Sequence, residues 1–107
     1  MIKGIGVDLA VLSRFKDKDE KFIKKILTNK EYQQYQALAS NRQIEYLAGR
    51  FAAKEAYYKA INNPKVGYLD IEVLDDYFAG PKINDSKAKL SISHDGDYVI
   101  AFVIVEE

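Results

Sequence analysis

Cysteine is absent from this 107-residue sequence, which excludes disulfides, thiolate metal sites and a cysteine nucleophile. Histidine occurs once, at His94, so the common multi-histidine zinc sites are excluded as well. The sequence has no apolar run of membrane-spanning length, and its N-terminus lacks the pattern of a secretory signal. We therefore expect a soluble, cytoplasmic protein that does not bind a membrane.

The composition favours one folded domain over residues 1–107. Hydrophobic residues make up 48% of the sequence and aromatic residues 12%, enough to fill one core. Repeats, low-complexity tracts and linkers are absent. A second domain would have little room at this length.

The zero net charge conceals two oppositely charged halves. Residues 1–60 carry 12 basic and 7 acidic residues, and residues 61–107 carry 4 and 9. A basic N-terminal half indicates an anionic partner; the plain alternative is that the two halves attract each other within the fold. The charge is modest and the pI is about 6.6, so we do not expect a nucleic acid partner.

The N-terminal half reads as one strand followed by three helices. Apolar residues alternate with Gly4, Gly6 and Asp8 over residues 2–9, which predicts a strand that a backbone or ligand can approach closely. Residues 17–20 open a helix that buries Phe22, Ile23, Ile26 and Leu27 and exposes Lys18, Lys21, Lys24 and Lys25. Capping-box spacings at Thr28/Glu31 and Ser40/Gln43 start two more helices, the second covering 41 to about 61.

The C-terminal half reads as strands. Asn62, Asn63 and Pro64 end the long helix, and strands are predicted at 70–74, 89–94 and 98–105. Gly80-Pro81 indicates a turn, and Asp95-Gly96 a type I′ hairpin. The last strand is apolar on both faces, which favours helices on one side and another subunit on the other. The fold class is α+β, a largely antiparallel sheet packed with a long helix.

Two charged residues stand out on the long helix. On a wheel of about 100° per residue, Glu55 and Lys59 fall within the apolar stripe around Ala48. An exposed Glu-to-Lys pair would be the plain alternative, but it should lie opposite the apolar residues. Charges on the core side need a metal, a ligand or a counter-ion. We interpret them as part of a functional site.

Asp8 is the second candidate residue. An aspartate closing a strand often serves only as a cap, and Gly4-x-Gly6 lacks the third glycine of a dinucleotide site. Together with Glu55, however, Asp8 provides two carboxylates, which suit Mg²⁺ with water and phosphate as its other ligands. His94 is more often structural in such a strand, or it binds phosphate with Ser93.

Three sequence blocks then resemble the holo-acyl-carrier-protein synthase family, the small phosphopantetheinyl transferases. They are residues 4–9 (GIGVDL), 47–60 (LAGRFAAKEAYYKA), and 90–94 (LSISH) with 98–101 (YVIA). Weaker agreement at residues 26–31 and 70–72 extends the resemblance over nearly the whole chain. Asp95 stands where the family usually has threonine.

The resemblance implies transfer of the 4′-phosphopantetheine arm of coenzyme A to a serine hydroxyl of apo acyl carrier protein, an Mg²⁺-dependent step of fatty acid biosynthesis that releases adenosine 3′,5′-bisphosphate. It implies that Asp8 and Glu55 hold Mg²⁺, that Glu55 helps to deprotonate the serine, and that Lys59 neutralises phosphate charge. The positions near the coenzyme are Arg50, Ser93 and His94.

The resemblance also implies a homotrimer with active sites at subunit interfaces. Arg50 lies away from Glu55 on the helical wheel, so it would serve a neighbouring subunit's site. The residues that would dock the acidic carrier protein are Arg14, Lys18, Lys21, Lys24 and Lys25. Two other functions remain open: a hydrolase of pyrophosphate compounds that uses Mg²⁺, and a non-catalytic module that binds an acidic protein.

Overall fold

The computed structural model describes residues 1–76 and 78–107, and it confirms the α+β class. Strand β1 (Ile2–Val11) precedes helices α1 (Glu20–Ile26), α2 (Asn29–Gln36) and α3 (Ser40–Ile61). Strands β2 (Val73–Asp76), β3 (Gly80–Ile83), β4 (Ala88–Asp95) and β5 (Tyr98–Glu106) follow. Short 3₁₀ helices lie at Leu12–Phe15 and Tyr68–Asp70. One antiparallel sheet has the order β1-β5-β4, and β2 and β3 form a separate antiparallel hairpin. Among the described residues, no helix has the length and hydropathy needed to cross a membrane.

Helix α3 packs on the inner face of the three-stranded sheet. Val99, Ala101 and Val103 of β5 are fully buried there, as are Ala52 and Ala56 of α3. Burial of these small and β-branched side chains supplies the main hydrophobic contribution to folding.

Two glycines bring α3 unusually close to β1. A Cβ added at Gly6 would lie 1.8 Å from the carbonyl oxygen of Ala56, and one at Gly4 would lie 1.9 Å from that of Ala60. The expected close approach is therefore made by the backbone of α3. Asp8 shares this face of β1, because alternate residues of a strand point the same way.

The outer face of the same sheet is apolar and exposed. Its large exposed side chains are Ile5, Val7, Leu9, Tyr98, Ile100 and Phe102. The prediction that β5 is apolar on both faces is thus confirmed. A patch of this kind marks an interaction surface more often than an ordinary solvent-exposed face.

The helix starts are confirmed in two cases and wrong in the third. Asp19 Oδ1 accepts a hydrogen bond from the Phe22 N–H, and Thr28 and Glu31 form a complete capping box. Ser40 does not cap α3; the capping position is Ala39, with no side-chain hydrogen bond. Gln43 instead donates from Nε2 to the Tyr35 carbonyl at 3.1 Å, so it joins α3 to α2.

The strand predicted at 70–74 begins later than expected. Asp70 Oδ2 accepts from the Gly67 N–H at 2.9 Å, which stabilises the 3₁₀ turn and delays β2 to Val73. The turn predicted at Gly80-Pro81 is also misplaced. Gly80, with φ of +72°, begins β3, and Pro81 lies within that strand opposite Asp75.

The last hairpin has its loop one residue later than predicted. Asp95 pairs with Tyr98, so the two loop residues are Gly96 and Asp97. Gly96 has φ of +57° whereas Asp97 keeps a negative φ, which is the type II′ pattern and not type I′. Asp97 binds the turn after β1, because its Oδ2 accepts from Ser13 Oγ at 3.0 Å and its carbonyl from the Leu12 N–H at 2.8 Å.

Candidate active site

Asp8 and Lys59 meet where the last turn of α3 crosses β1. Lys59 Nζ lies 3.2 Å from Asp8 Oδ1 and donates to the Val7 carbonyl at 3.0 Å. The Asp8 side chain is 16% exposed and that of Lys59 is 55% exposed. Lys59 is therefore not buried on the apolar stripe as the wheel suggested, since its ammonium stays in solvent beside the strand.

Glu55 lies one helical turn before Lys59 and is half-buried. Tyr68 donates from its hydroxyl to Glu55 Oε1 at 3.4 Å. Burial, together with the carboxylates of Glu55 and Asp8, raises the pKa of Tyr68. Both carboxylates therefore disfavour ionisation of the Tyr68 hydroxyl.

A cavity of about 250 Å³ opens beside Glu55. Its wall includes Tyr58, Pro64, Val66, Tyr68 and Ile71. The site thus combines a mostly apolar wall with a few charged groups at one end, which is typical of small-molecule sites.

The carboxylate oxygens at this site suit a hard divalent cation that also binds phosphate. In the described ranges 1–76 and 78–107, no three His, Cys, Asp or Glu side chains are grouped so that they could hold a metal. Mg²⁺ commonly takes only one or two carboxylates and completes its shell with water and substrate phosphate. Asp8 and Glu55 match that requirement, whereas a fully protein-bound metal does not fit.

Arg50 and His94 lie in a different groove, of about 220 Å³. Arg50 is buried, donates from Nε to the Val73 carbonyl at 3.0 Å and pairs through Nη2 with Asp75 at 2.9 Å. Its guanidinium also lies over the Tyr46 ring, 4.0 Å from the centroid. Within this chain, Arg50 links β2 to α3. Its contact with a coenzyme stays a prediction.

The two groups of predicted residues are separated by the sheet order. His94 belongs to β4 and Asp8 to β1, and β5 runs between these strands. Ser93 follows strand alternation to the outer face and is exposed. The structure therefore brings Asp8, Glu55 and Lys59 together, but it does not bring Arg50, Ser93 or His94 to them within one protomer.

A basic surface lies on and around α1. All its members are exposed: Arg14, Lys18, Lys21, Lys24 and Lys25. Lys24 pairs with Glu20 at 2.8 Å, and this hydrogen bond raises the pKa of Lys24. Lys18 and Lys24 lie over the rings of Phe22 and Tyr32. The exposure fits a docking surface, which remains a prediction.

Lys54 and Glu31 form a buried ion pair that the sequence analysis missed. Lys54 Nζ lies 2.6 Å from Glu31 Oε1, and both side chains are 0% exposed. Burial lowers the pKa of Lys54, and the Glu31 carboxylate opposes that shift. One signal was available, because Lys54 lies two helical turns after the buried Leu47 and so shares its face.

Comparison with known proteins agrees with this geometry. Residues 4–103 match the 4′-phosphopantetheinyl transferase superfamily, and the chain belongs to that superfamily. The resemblance read from the sequence is thereby confirmed.

Its relatives are more specific. The holo-[acyl-carrier-protein] synthase of Oceanobacillus iheyensis is 41% identical over 99% of this chain and 98% of the relative. That of Streptococcus suis is 45% identical over 100% and 98%. A crystal structure of the Bacillus anthracis synthase in complex with CoA (3′,5′-ADP) superposes with a TM-score of 0.90, at 40% identity over 98% of this chain and 96% of that one.

Proposed function

We propose that this protein is an enzyme that transfers the 4′-phosphopantetheine arm of coenzyme A to a serine of apo acyl carrier protein. The serine oxygen forms a bond to the β-phosphorus of coenzyme A, the pyrophosphate P–O bond breaks, and adenosine 3′,5′-bisphosphate leaves. The proposal rests chiefly on the contact of Lys59 with Asp8 at the β1–α3 crossing, with Glu55 one helical turn before Lys59. Full-length similarity to named holo-[acyl-carrier-protein] synthases supports it.

The residues of the site have the following roles in this proposal. Glu55 accepts the serine proton, directly or through water. Its half-buried carboxylate can act as a general base. Lys59 stabilises the negative charge that develops on the leaving phosphate. Asp8 and Glu55 would hold Mg²⁺, which when bound would neutralise the pyrophosphate. Arg50, Ser93 and His94 would bind other parts of the coenzyme.

The acidic carrier protein would dock on the exposed basic surface beside α1. Exposed charges of one sign speed the encounter with an oppositely charged partner more than they tighten the final complex. This role accounts for the excess of basic residues in the first half of the chain.

We further propose a homotrimer with composite sites. The exposed apolar face of the sheet supports association. The separation of Asp8 and Glu55 from Arg50 and His94 supports a site that takes one group from each of two protomers. The cytoplasmic location predicted from the sequence would be tested by cell fractionation.

Intact-protein mass spectrometry tests the activity directly. The protein is mixed with coenzyme A, Mg²⁺ and apo carrier protein, and the carrier should gain the mass of one phosphopantetheine. Cleavage of coenzyme A without a carrier would indicate the hydrolase instead. Carrier binding without any mass change would indicate the non-catalytic module.

Two variants test the metal ligands. Asp8→Asn and Glu55→Gln should each weaken Mg²⁺-dependent binding of coenzyme A, measured by calorimetry, while the fold survives. Glu106→Gln, an exposed change at the end of β5, serves as the control. Unchanged metal-dependent binding in both site variants would remove Asp8 and Glu55 from the metal site.

A further inference from the structure

Tyr68 is held at both ends by two consecutive residues of α3. Its hydroxyl donates to Glu55 Oε1 at 3.4 Å, and its backbone carbonyl accepts from Lys54 Nζ at 2.9 Å. Its ring packs against that of Phe51 with centroids 5.8 Å apart. The residue is 36% exposed but has a contact at its backbone, at its ring and at its hydroxyl, and the hydroxyl points to a proposed reacting group.

The anchor at the backbone end is rigid. Lys54 is fully buried and also donates to the Ile26 carbonyl and to Glu31 Oε1, each at 2.6 Å. All three ammonium protons of Lys54 thus have acceptors. Breaking any one of them would leave a buried charge incompletely paired, so the carbonyl of Tyr68 is held tightly.

The hydroxyl end acts as a donor. A protonated hydroxyl beside a carboxylate donates its hydrogen. This bond occupies Oε1 of Glu55 and leaves Oε2 to face other ligands.

We propose that Tyr68 is a positioning residue for Glu55: its hydroxyl sets the orientation of the carboxylate that accepts the serine proton. The inference rests on the proposed function. The 3.4 Å separation is long for such a bond, and catalytic hydrogen bonds commonly shorten when the substrate complex forms. Misorientation of a base lowers the rate without loss of substrate affinity.

The test compares Tyr68→Phe with a matched control. Tyr57→Phe also removes a tyrosine hydroxyl that donates to a carboxylate, since Tyr57 lies 2.7 Å from Asp85 Oδ2. Tyr68→Phe should lower kcat about tenfold and leave KM for coenzyme A and for the carrier nearly unchanged. Tyr57→Phe should keep the wild-type kcat.

A second readout does not depend on turnover. In protein without coenzyme or metal, the ¹³C resonance of the Glu55 carboxyl should shift in Tyr68→Phe and stay in place in Tyr57→Phe. In wild-type protein, exchange into D₂O should produce an isotope shift on the same carbon, so the bond can be tested even if the variant folds poorly.

Two results would overturn the inference: an unchanged kcat in Tyr68→Phe, whether or not KM rises, or a Glu55 carbon that responds neither to Tyr68→Phe nor to exchange into D₂O. A wild-type protein that fails to modify the carrier would instead remove the proposed function, and the carboxyl resonance would still report the Tyr68–Glu55 contact.

Discussion

At the scale of single residues, Lys59 acts as the counter-ion of Asp8. The pair joins positions 51 residues apart, and the ammonium also binds the Val7 carbonyl. A solvent-exposed pair of this kind adds little to stability, so its value lies in where it places a positive charge. That charge lies beside the carboxylates proposed to hold the Mg²⁺ that would neutralise the pyrophosphate.

Replacing Lys59 should therefore affect the rate more than binding. Lys59→Met should lower kcat about 100-fold and raise KM for coenzyme A much less, because phosphate charge grows as the reaction proceeds. Lys59→Arg should recover only part of the rate, since its donors have a different geometry. Steady-state kinetics on the carrier provide the measurement.

Lys82→Met is the control for this change. Lys82 pairs with Asp76 at 3.7 Å on the β2–β3 hairpin and is similarly exposed, so its loss should leave kcat as it is. A wild-type kcat in Lys59→Met at saturating coenzyme A would assign Lys59 to binding alone.

At this scale the sequence singled out residues that conflict with the apolar pattern around them, and their roles stay predictions. Glu55 and Lys59 conflict with the apolar stripe, and Asp8 interrupts an apolar strand. Lys54 escaped notice because α3 is covered on two sides: by the sheet, and by the Tyr68 turn and the α1–α2 connection that Lys54 binds. A wheel centred on one stripe does not describe such a helix.

At the scale of elements, the crossing of α3 over β1 depends on two missing side chains. Gly6→Ala would place a Cβ against the Ala56 carbonyl, within the 1.8 Å already noted, where neither backbone can yield. We expect the free energy of unfolding to fall by about 3 kcal/mol or more. Urea denaturation followed by circular dichroism measures it.

Gly49→Ala is the matched comparison within α3. A Cβ there would lie 3.9 Å from Ile92 Cγ2, an ordinary contact, and alanine favours helix. This variant should be more stable than wild type by about 0.5–1 kcal/mol. Equal effects of the two substitutions would mean that the close crossing is not what Gly6 provides.

The buried Lys54–Glu31 pair joins α3 and α2 to the end of α1, the Tyr68 turn and the start of β2. Beyond Lys54, Glu31 Oε2 accepts from the Val73 N–H at 2.7 Å and Oε1 from the Thr28 N–H at 2.8 Å. Lys54→Met would leave the Glu31 carboxylate buried without its cation, so we expect a loss of about 3–5 kcal/mol in the free energy of unfolding.

A double variant separates the charge from the packing. Adding Glu31→Gln to Lys54→Met removes the unpaired charge and should recover part of the loss in the same denaturation experiment. If the double variant is as unstable as the sum of the two single variants, the two charges do not depend on each other.

Element boundaries were predicted well where a side chain caps the backbone and poorly where a turn is set from a distance. Thr28 and Glu31 lie three positions apart and define the start of α2. The last hairpin is placed by Asp97, which binds Ser13 and Leu12 far away in sequence. The Asp95-Gly96 pair alone contains no information about that contact.

At the scale of the whole molecule, the basic surface should govern the encounter with the carrier protein. Reversing Arg14 and Lys24 to Glu should raise KM for the carrier about tenfold or more, with little effect on KM for coenzyme A. The wild-type preference should weaken with salt, since the Debye length falls to about 3 Å at 1 M.

The control is an equal change of charge elsewhere. Lys82→Glu with Lys87→Glu alters two exposed lysines outside the basic surface and should leave KM for the carrier nearly unchanged. Equal effects of both double variants would mean that net charge matters and that the face beside α1 does not.

A composite site predicts complementation between inactive subunits. Glu55→Gln and His94→Ala protomers, expressed together in equal amounts, should assemble at random, so that about a quarter of all sites have both wild-type residues. Activity should return to that fraction, whereas either variant alone stays inactive. Light scattering should show three protomers, and absence of recovery in mixed trimers would place both groups in one protomer.

The apolar outer face of β5 was predictable because both sets of alternate residues in this strand, inward-facing and outward-facing, are apolar. The symmetry of the proposed assembly and the pairing of its sites were not predictable from the residues alone. A single chain does not show which surfaces of two copies meet. The sheet order, with β5 between β1 and β4, separates the two groups of residues and so supports the proposal that a second protomer completes the site.

The exposed apolar face that includes Ile100 and Phe102 also implies that the rate of catalysis would depend on protein concentration. If sites exist only between copies, specific activity should fall as the protein is diluted below the dissociation constant of the assembly, and it should do so with a lag set by the dissociation rate. Newly made chains would likewise be inactive until they meet others, so output would rise more steeply than linearly with expression at low abundance.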